Sequence, residues 1–66
     1  MPRGYESFED VKCIAETDAA ILCDFEDGVQ HWVPKSQLSE DSEVEEKDDE
    51  GTLIVTRWWA EQKGLA

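Results

Sequence analysis

Cations are scarce in this 66-residue chain: six Lys and Arg stand against 17 Asp and Glu, for a formal net charge of −11. At neutral pH such a field repels phosphate, which argues against direct binding of nucleic acid or of an anionic membrane surface. Two Cys fall far below the density of a disulfide-stapled secreted scaffold. No apolar run approaches the roughly 18 residues of a membrane span. Met1-Pro2-Arg3-Gly4-Tyr5-Glu6 carries no apolar stretch of a secretory signal. A reducing cytoplasm is the expected compartment. A chain of about 60 residues buries only roughly 60% of the surface its unfolded form exposes, so an enclosed catalytic pocket is not expected either.

What is present suffices for a small core: 39% of residues are hydrophobic, and there are three Trp. Val11, Cys13 and Ala15 alternate with polar neighbours, the pattern of a half-buried strand over 10–16. Thr17-Asp18 punctuates, and a second strand runs over 20–25. Asp27-Gly28 predicts a two-residue type I′ hairpin, because Gly permits positive φ freely and Asp tolerates it. That turn sets Asp24 opposite His31 and Cys23 opposite Trp32, and leaves both sheet faces partly apolar, so both are expected to be covered. Trp32 is then a core residue, and Tyr5 and Phe8 are candidates to cover an open face. Pro34 ends the third strand. Lys35-Ser36-Gln37-Leu38 reads as a short helical turn with Leu38 tucked inward.

From Ser39 the composition changes. Residues 40–50 hold Glu40, Asp41, Glu43, Glu45, Glu46, Asp48, Asp49 and Glu50 with one Lys, a net −7. Self-repulsion and a single apolar residue, Val44, predict a mobile loop, with nothing to offset about 1–2 kcal/mol of ordering cost per residue. Order returns with a buried strand over 51–56. Thr56 then caps a helix over 57–63, Gly64 takes the C′ position, and Leu65 packs back over Ala60 or Trp59. Trp58 and Trp59 lie about 100° apart on so short a helix. A docked helix buries one fully and leaves the other nearer the surface, although a core this small favours burying most of both. The expected fold is β-rich α+β: a small antiparallel sheet or partly open barrel of about four strands with one short C-terminal helix. It forms one domain, with an N-terminal arm (1–8), a three-stranded meander and turn (9–38), an acidic loop (39–51), and a strand with the C-terminal helix (52–66).

Few residues offer chemistry. Cys13, Cys23 and His31 are spaced ten and eight apart, unlike the paired short spacings of zinc sites. The acidic run lacks the calcium-loop pattern that supplies a turn and a closing Glu. No Gly-rich phosphate cradle is present. One His and two thiols in so small a chain do not suggest nucleophilic catalysis, so neither enzyme activity nor a cofactor or metal is expected. His31 opposite Asp24 reads as a structural cross-strand pair. Cys13 and Cys23 fall on opposite faces with a two-residue Thr17-Asp18 turn and align if the loop gains one residue, so their pairing stays open.

The acidity itself suggests mimicry. One DNA strand carries a charge per roughly 3.4 Å. Residues 40–50, if extended, span about 37 Å, or one net charge per about 5 Å. A basic cleft built for phosphate would attract this surface, and Asp24, Glu26 and Asp27 at the hairpin end extend it. The second candidate surface is aromatic, Trp58 and Trp59, since Trp concentrates at interface hot spots.

His31-Trp32-Val33-Pro34-Lys35-Ser36-Gln37-Leu38 and the stretch from Gly51-Thr52-Leu53-Ile54-Val55-Thr56 through Arg57-Trp58-Trp59-Ala60-Glu61-Gln62-Lys63-Gly64-Leu65 resemble small uncharacterised bacteriophage and prophage proteins. These share an aromatic-aliphatic-Pro-basic-Ser step, an acidic stretch, a Gly-Thr-Leu strand and a short aromatic helix. The resemblance implies phage origin and a binding role in the host bacterial cytoplasm. In size and charge the chain is also similar to acidic anti-CRISPR and anti-restriction inhibitors, some of which imitate DNA. The expected protein is therefore a monomeric, stoichiometric inhibitor that places carboxylates in the nucleic-acid-binding surface of a protein partner. The alternatives are an adaptor in phage replication or recombination that binds through its Trp-rich helix, and an acidic module recognising a basic peptide.

Overall fold

The computed structural model describes residues 4–25 and 28–65. Its elements are β1 (Tyr5–Glu16), β2 (Ala20–Asp24), β3 (Gln30–Pro34), a 3₁₀ turn (Lys35–Gln37), β4 (Glu50–Thr56) and α1 (Arg57–Gln62). All neighbouring strands are antiparallel, in the order β3-β2-β1-β4. The fold is thus a small β-rich α+β domain, one open four-stranded sheet with a short C-terminal helix. The 3₁₀ turn leaves the β3 edge, and Leu38, just beyond it, bridges Val55 on β4. Because β3 and β4 are opposite edges, that contact requires the sheet to curl around its core.

β1 makes the curl possible. It starts at Tyr5, so residues 5–8 of the expected N-terminal arm are instead sheet, with Tyr5 opposite Thr56 and Phe8 opposite Leu53. Its register breaks twice, between Phe8 and Val11 against β4 and between Cys13 and Ala15 against β2. Bulges bend a strand and raise its twist. The first contains Asp10 at φ +59, a left-handed conformation that Asp tolerates better than most residues.

The second bulge decides the cysteines. Near the turn Glu16 faces Ile21 and Ala15 faces Leu22; across the bulge the register shifts and Cys13 faces Cys23 directly. Alignment therefore comes from a bulge at Ile14 and not from a longer loop. The turn itself is tight: Thr17 N–H donates to the Ala20 carbonyl, and the Thr17 hydroxyl accepts from the Ala19 and Ala20 N–H groups. Both cysteines are buried and free.

The β2–β3 register is one residue off the expectation. Cys23 faces His31, Leu22 faces Trp32, Ile21 faces Val33 and Asp24 faces Gln30. Phe25 N–H donates to the Val29 carbonyl and Gly28, at φ +82, donates to the Phe25 carbonyl, so three residues separate the closing pair. The expected Asp27-Gly28 turn lies partly outside the described residues. A one-residue slip exchanges the faces of one strand. Hence His31 turns to the inner face, with its ring edge-on to Phe25 and Trp59 rather than beside Asp24. Trp32 turns outward and is 48% exposed, so it is not a core residue.

The core comprises Val11, Cys13, Ile21, Cys23, Phe25, Val33, Val44, Leu53, Val55, Trp59 and Ala60, with Phe8, Leu38 and Leu65 packed against it. Only one sheet face is covered in this way. α1 carries the caps its sequence predicts. The Thr56 hydroxyl accepts from Trp59 N–H. At the other end Gly64, at φ +72, donates to Glu61 and Leu65 donates to Ala60, a Schellman closure that returns Leu65 to the core. Among the described residues no helix is long and apolar enough to cross a membrane.

Candidate functional site

The acidic segment is not the mobile excursion its composition predicts; it is fastened to the sheet at three places. The first is the free edge of β4. Ser39 N–H donates to the Ile54 carbonyl and Glu43 N–H to the Thr52 carbonyl, both at 2.9 Å. In return, Thr52 N–H donates to Glu43 Oε1 at 2.8 Å and Ile54 N–H to Ser42 Oγ at 3.1 Å. Four edge groups that would otherwise invite pairing with another chain are thereby satisfied. The second place is the core, where Val44 is fully buried. Ser42 Oγ holds it there by donating to the Val44 carbonyl and accepting from its N–H. The third is β1: Asp48 N–H donates to the Cys13 carbonyl, Cys13 N–H to the Asp49 carbonyl, and Lys47 N–H to Glu16 Oε1.

Two acids of the segment therefore accept from backbone N–H groups, one on β4 and one within the segment. Glu43 pins Thr52, and Asp49 Oδ2 accepts from both Glu45 and Glu46 N–H groups at 3.1 Å, closing the turn in which Asp48 takes φ +76. Gly51 leaves room for this arrangement, since a Cβ there would stand 2.6 Å from Glu43 Oε1. Glu40, Asp41, Glu45, Glu46 and Asp48 remain exposed. A depression of about 420 Å³ runs between Glu16, Lys35, Leu38, Glu40, Glu45 and Glu46.

Cations are placed to hold the frame. Lys35 Nζ meets Glu16 at 2.7 Å and Arg57 Nε meets Glu6 at 2.8 Å. Lys12 lies in register between Asp24 on β2 and Glu50 on β4. Glu26 and Asp27 lie outside the described residues. The expected acidic surface therefore divides, with an exposed strip at Glu40, Asp41, Glu45, Glu46 and Asp48, and with Asp24 on β2 and Glu50 on β4 beside Lys12 in register.

The aromatic candidates separate as well. Trp59 is 3% exposed within the core and is not available as a contact surface, whereas Trp58 is 49% exposed rather than mostly buried. Sequence reasoning missed Trp32, whose outward position follows only from the hairpin register. The thiols are suited to packing: burial, and then the neighbouring Cys13, push the Cys23 thiol up to about 12, and burial raises Cys13 too. Both therefore stay protonated and weakly nucleophilic at neutral pH. Among the described residues no three His, Cys, Asp or Glu converge in a way that could hold a metal ion. No family model, curated protein or solved structure matches the chain.

Proposed function

We propose that the protein is a stoichiometric inhibitor of phage origin. Its acidic strip occupies the basic, nucleic-acid-binding surface of a host defence complex, CRISPR-Cas or restriction, and keeps DNA out. The observation that carries this reading is that a segment of net −7 is held to β4, to β1 and to the core at defined positions. A carboxylate array already fixed in place loses less entropy on binding than a mobile tail does. The segment folds back between β4 and β1, and the longest dimension of the molecule is 32 Å. The roughly 37 Å of an extended run therefore does not apply, and the charge is packed more densely than that estimate implies. Phage origin rests on the His31–Leu38 and Gly51–Leu65 motifs.

The test is affinity capture of the tagged protein from a bacterial lysate at low and high salt, with mass spectrometry and a DNA-binding assay on what is retained. The expected partner is a nucleic-acid-binding complex, released by salt and unable to bind DNA while the protein is present. Replacing Glu40, Asp41, Glu45 and Glu46 by their amides should weaken inhibition at least tenfold. These side chains are exposed and lie outside the hydrogen bonds that pin the segment. Unchanged potency in that variant rejects the strip as the mimic.

Half-exposed Trp58 supports the second reading, an adaptor that docks a partner through the aromatic helix. Salt-resistant capture of a replication or recombination protein, abolished by Trp58→Ala and indifferent to the amide variant, would establish it instead.

A further inference from the structure

At the β2–β3 end of the sheet lies a second depression, of about 600 Å³, unrelated to the acidic segment. Its apolar lining is Phe8, Phe25, Val29 and Leu65, and Ser7, Glu9 and Asp10 also line it. Three local devices set its shape. Phe8 and Phe25 meet edge to face with centroids 5.4 Å apart, giving two walls nearly at right angles. The Schellman closure fixes Leu65. In a regular strand Glu9 and Asp10 would point to opposite faces, but the β1 bulge brings both to this depression.

We propose that this depression seats a single Lys or Arg side chain of a protein partner. The aliphatic stem of such a side chain covers the Phe and Leu surface, while its cationic head reaches the ring faces and the Glu9 and Asp10 carboxylates. A neutral apolar occupant would desolvate two carboxylates without pairing them, and an anion is repelled. Among the described residues no cationic side chain lines the depression. The inference rests on the reading of the partner as basic and adds a discrete contact to a diffuse one. Asp10 lies six residues before Glu16, which lines the other depression, so the two sites are at most about 20 Å apart along β1.

The experiment is an NMR amide-shift titration of the full chain with Nα-acetyl-lysine methylamide, and with the norleucine analogue as its uncharged counterpart. The lysine probe should shift Phe8, Glu9, Asp10, Phe25 and Leu65 saturably in the millimolar range, and the norleucine probe should bind at least about fivefold more weakly. Asp10→Gly removes the carboxylate while suiting the positive φ, so the fold persists and lysine-probe affinity falls about threefold to tenfold. Equal binding of both probes, no saturable shift at these residues, or unchanged affinity in Asp10→Gly overturns the proposal. Shifts confined to residues 40–50 overturn it too while leaving the acidic-strip reading intact. Saturable binding at the depression together with full inhibition by the amide variant would reject the strip and keep the depression.

Discussion

At the scale of single residues, Glu16 ties two distant parts of the chain together. Its Oε2 accepts from the Lys35 ammonium in the 3₁₀ turn after β3, and its Oε1 accepts from Lys47 N–H in the acidic segment. The Lys35 hydrogen bond first, and the Lys47 N–H second, hold its carboxyl below the ordinary carboxylate value. A depressed folded-state pKa means that the unfolded chain takes up the proton more readily. The contribution is therefore complete above the unfolded value and disappears as pH falls through the folded one. Protonating the other carboxylates relieves self-repulsion and acts in the opposite sense, so the protein must be compared with its own variant. Glu16→Gln should melt below the parent at pH 7, and the gap should close as pH falls below the ordinary carboxylate range and through the depressed folded-state value. Differential scanning calorimetry across that range decides it; a gap independent of pH would mean that Glu16 acts through packing and not through its charge. The cysteines make the complementary point, because burial that raises a thiol pKa turns a potentially reactive pair into core packing.

At the scale of elements, the segment 39–50 shows what a composition argument leaves out. Charge and low apolar content predict disorder when each residue must be ordered by its own burial. Here the chain is instead ordered by exchange of hydrogen bonds with an exposed strand edge, and by one valine buried in the core. Val44→Ala should cost about 2 kcal/mol. It should also speed hydrogen exchange at Glu43, Thr52 and Ile54 more than at Ile21 or Val33, because the segment loses its anchor while the β2–β3 pairing persists. Uniform acceleration throughout would show that the segment and the sheet unfold as one unit. Elsewhere local signals were sufficient. The Thr56 cap, the Gly64 closure and the four strands, β1 only from Asp10 onward, were legible because the signals for each lie within a few residues of one another. What failed was register: neither the three-residue spacing at the β2–β3 hairpin nor the bulge at Ile14 has a mark in the sequence; the first decided the positions of Trp32 and His31, and the second set Cys13 opposite Cys23.

At the scale of the whole molecule, a net charge of −11 acts against the compact state and toward a basic partner at once. Mutual repulsion among the exposed carboxylates is lowest in the more expanded unfolded chain, so screening should raise the melting temperature. The same screening weakens attraction to a cationic surface and returns released counterions at higher cost. Raising NaCl from about 20 to about 200 mM, where the Debye length shrinks from about 20 Å to below 10 Å, should therefore stabilise the protein while loosening its complex. The amide variant of Glu40, Asp41, Glu45 and Glu46 should reproduce both effects at low salt, melting higher than the parent and binding its partner more weakly. A strip kept only for solubility predicts the first change without the second. Thermal melts and affinity measured on the same two proteins at both salt concentrations separate these cases, because a surface retained against its own stability is one whose charge is used in binding.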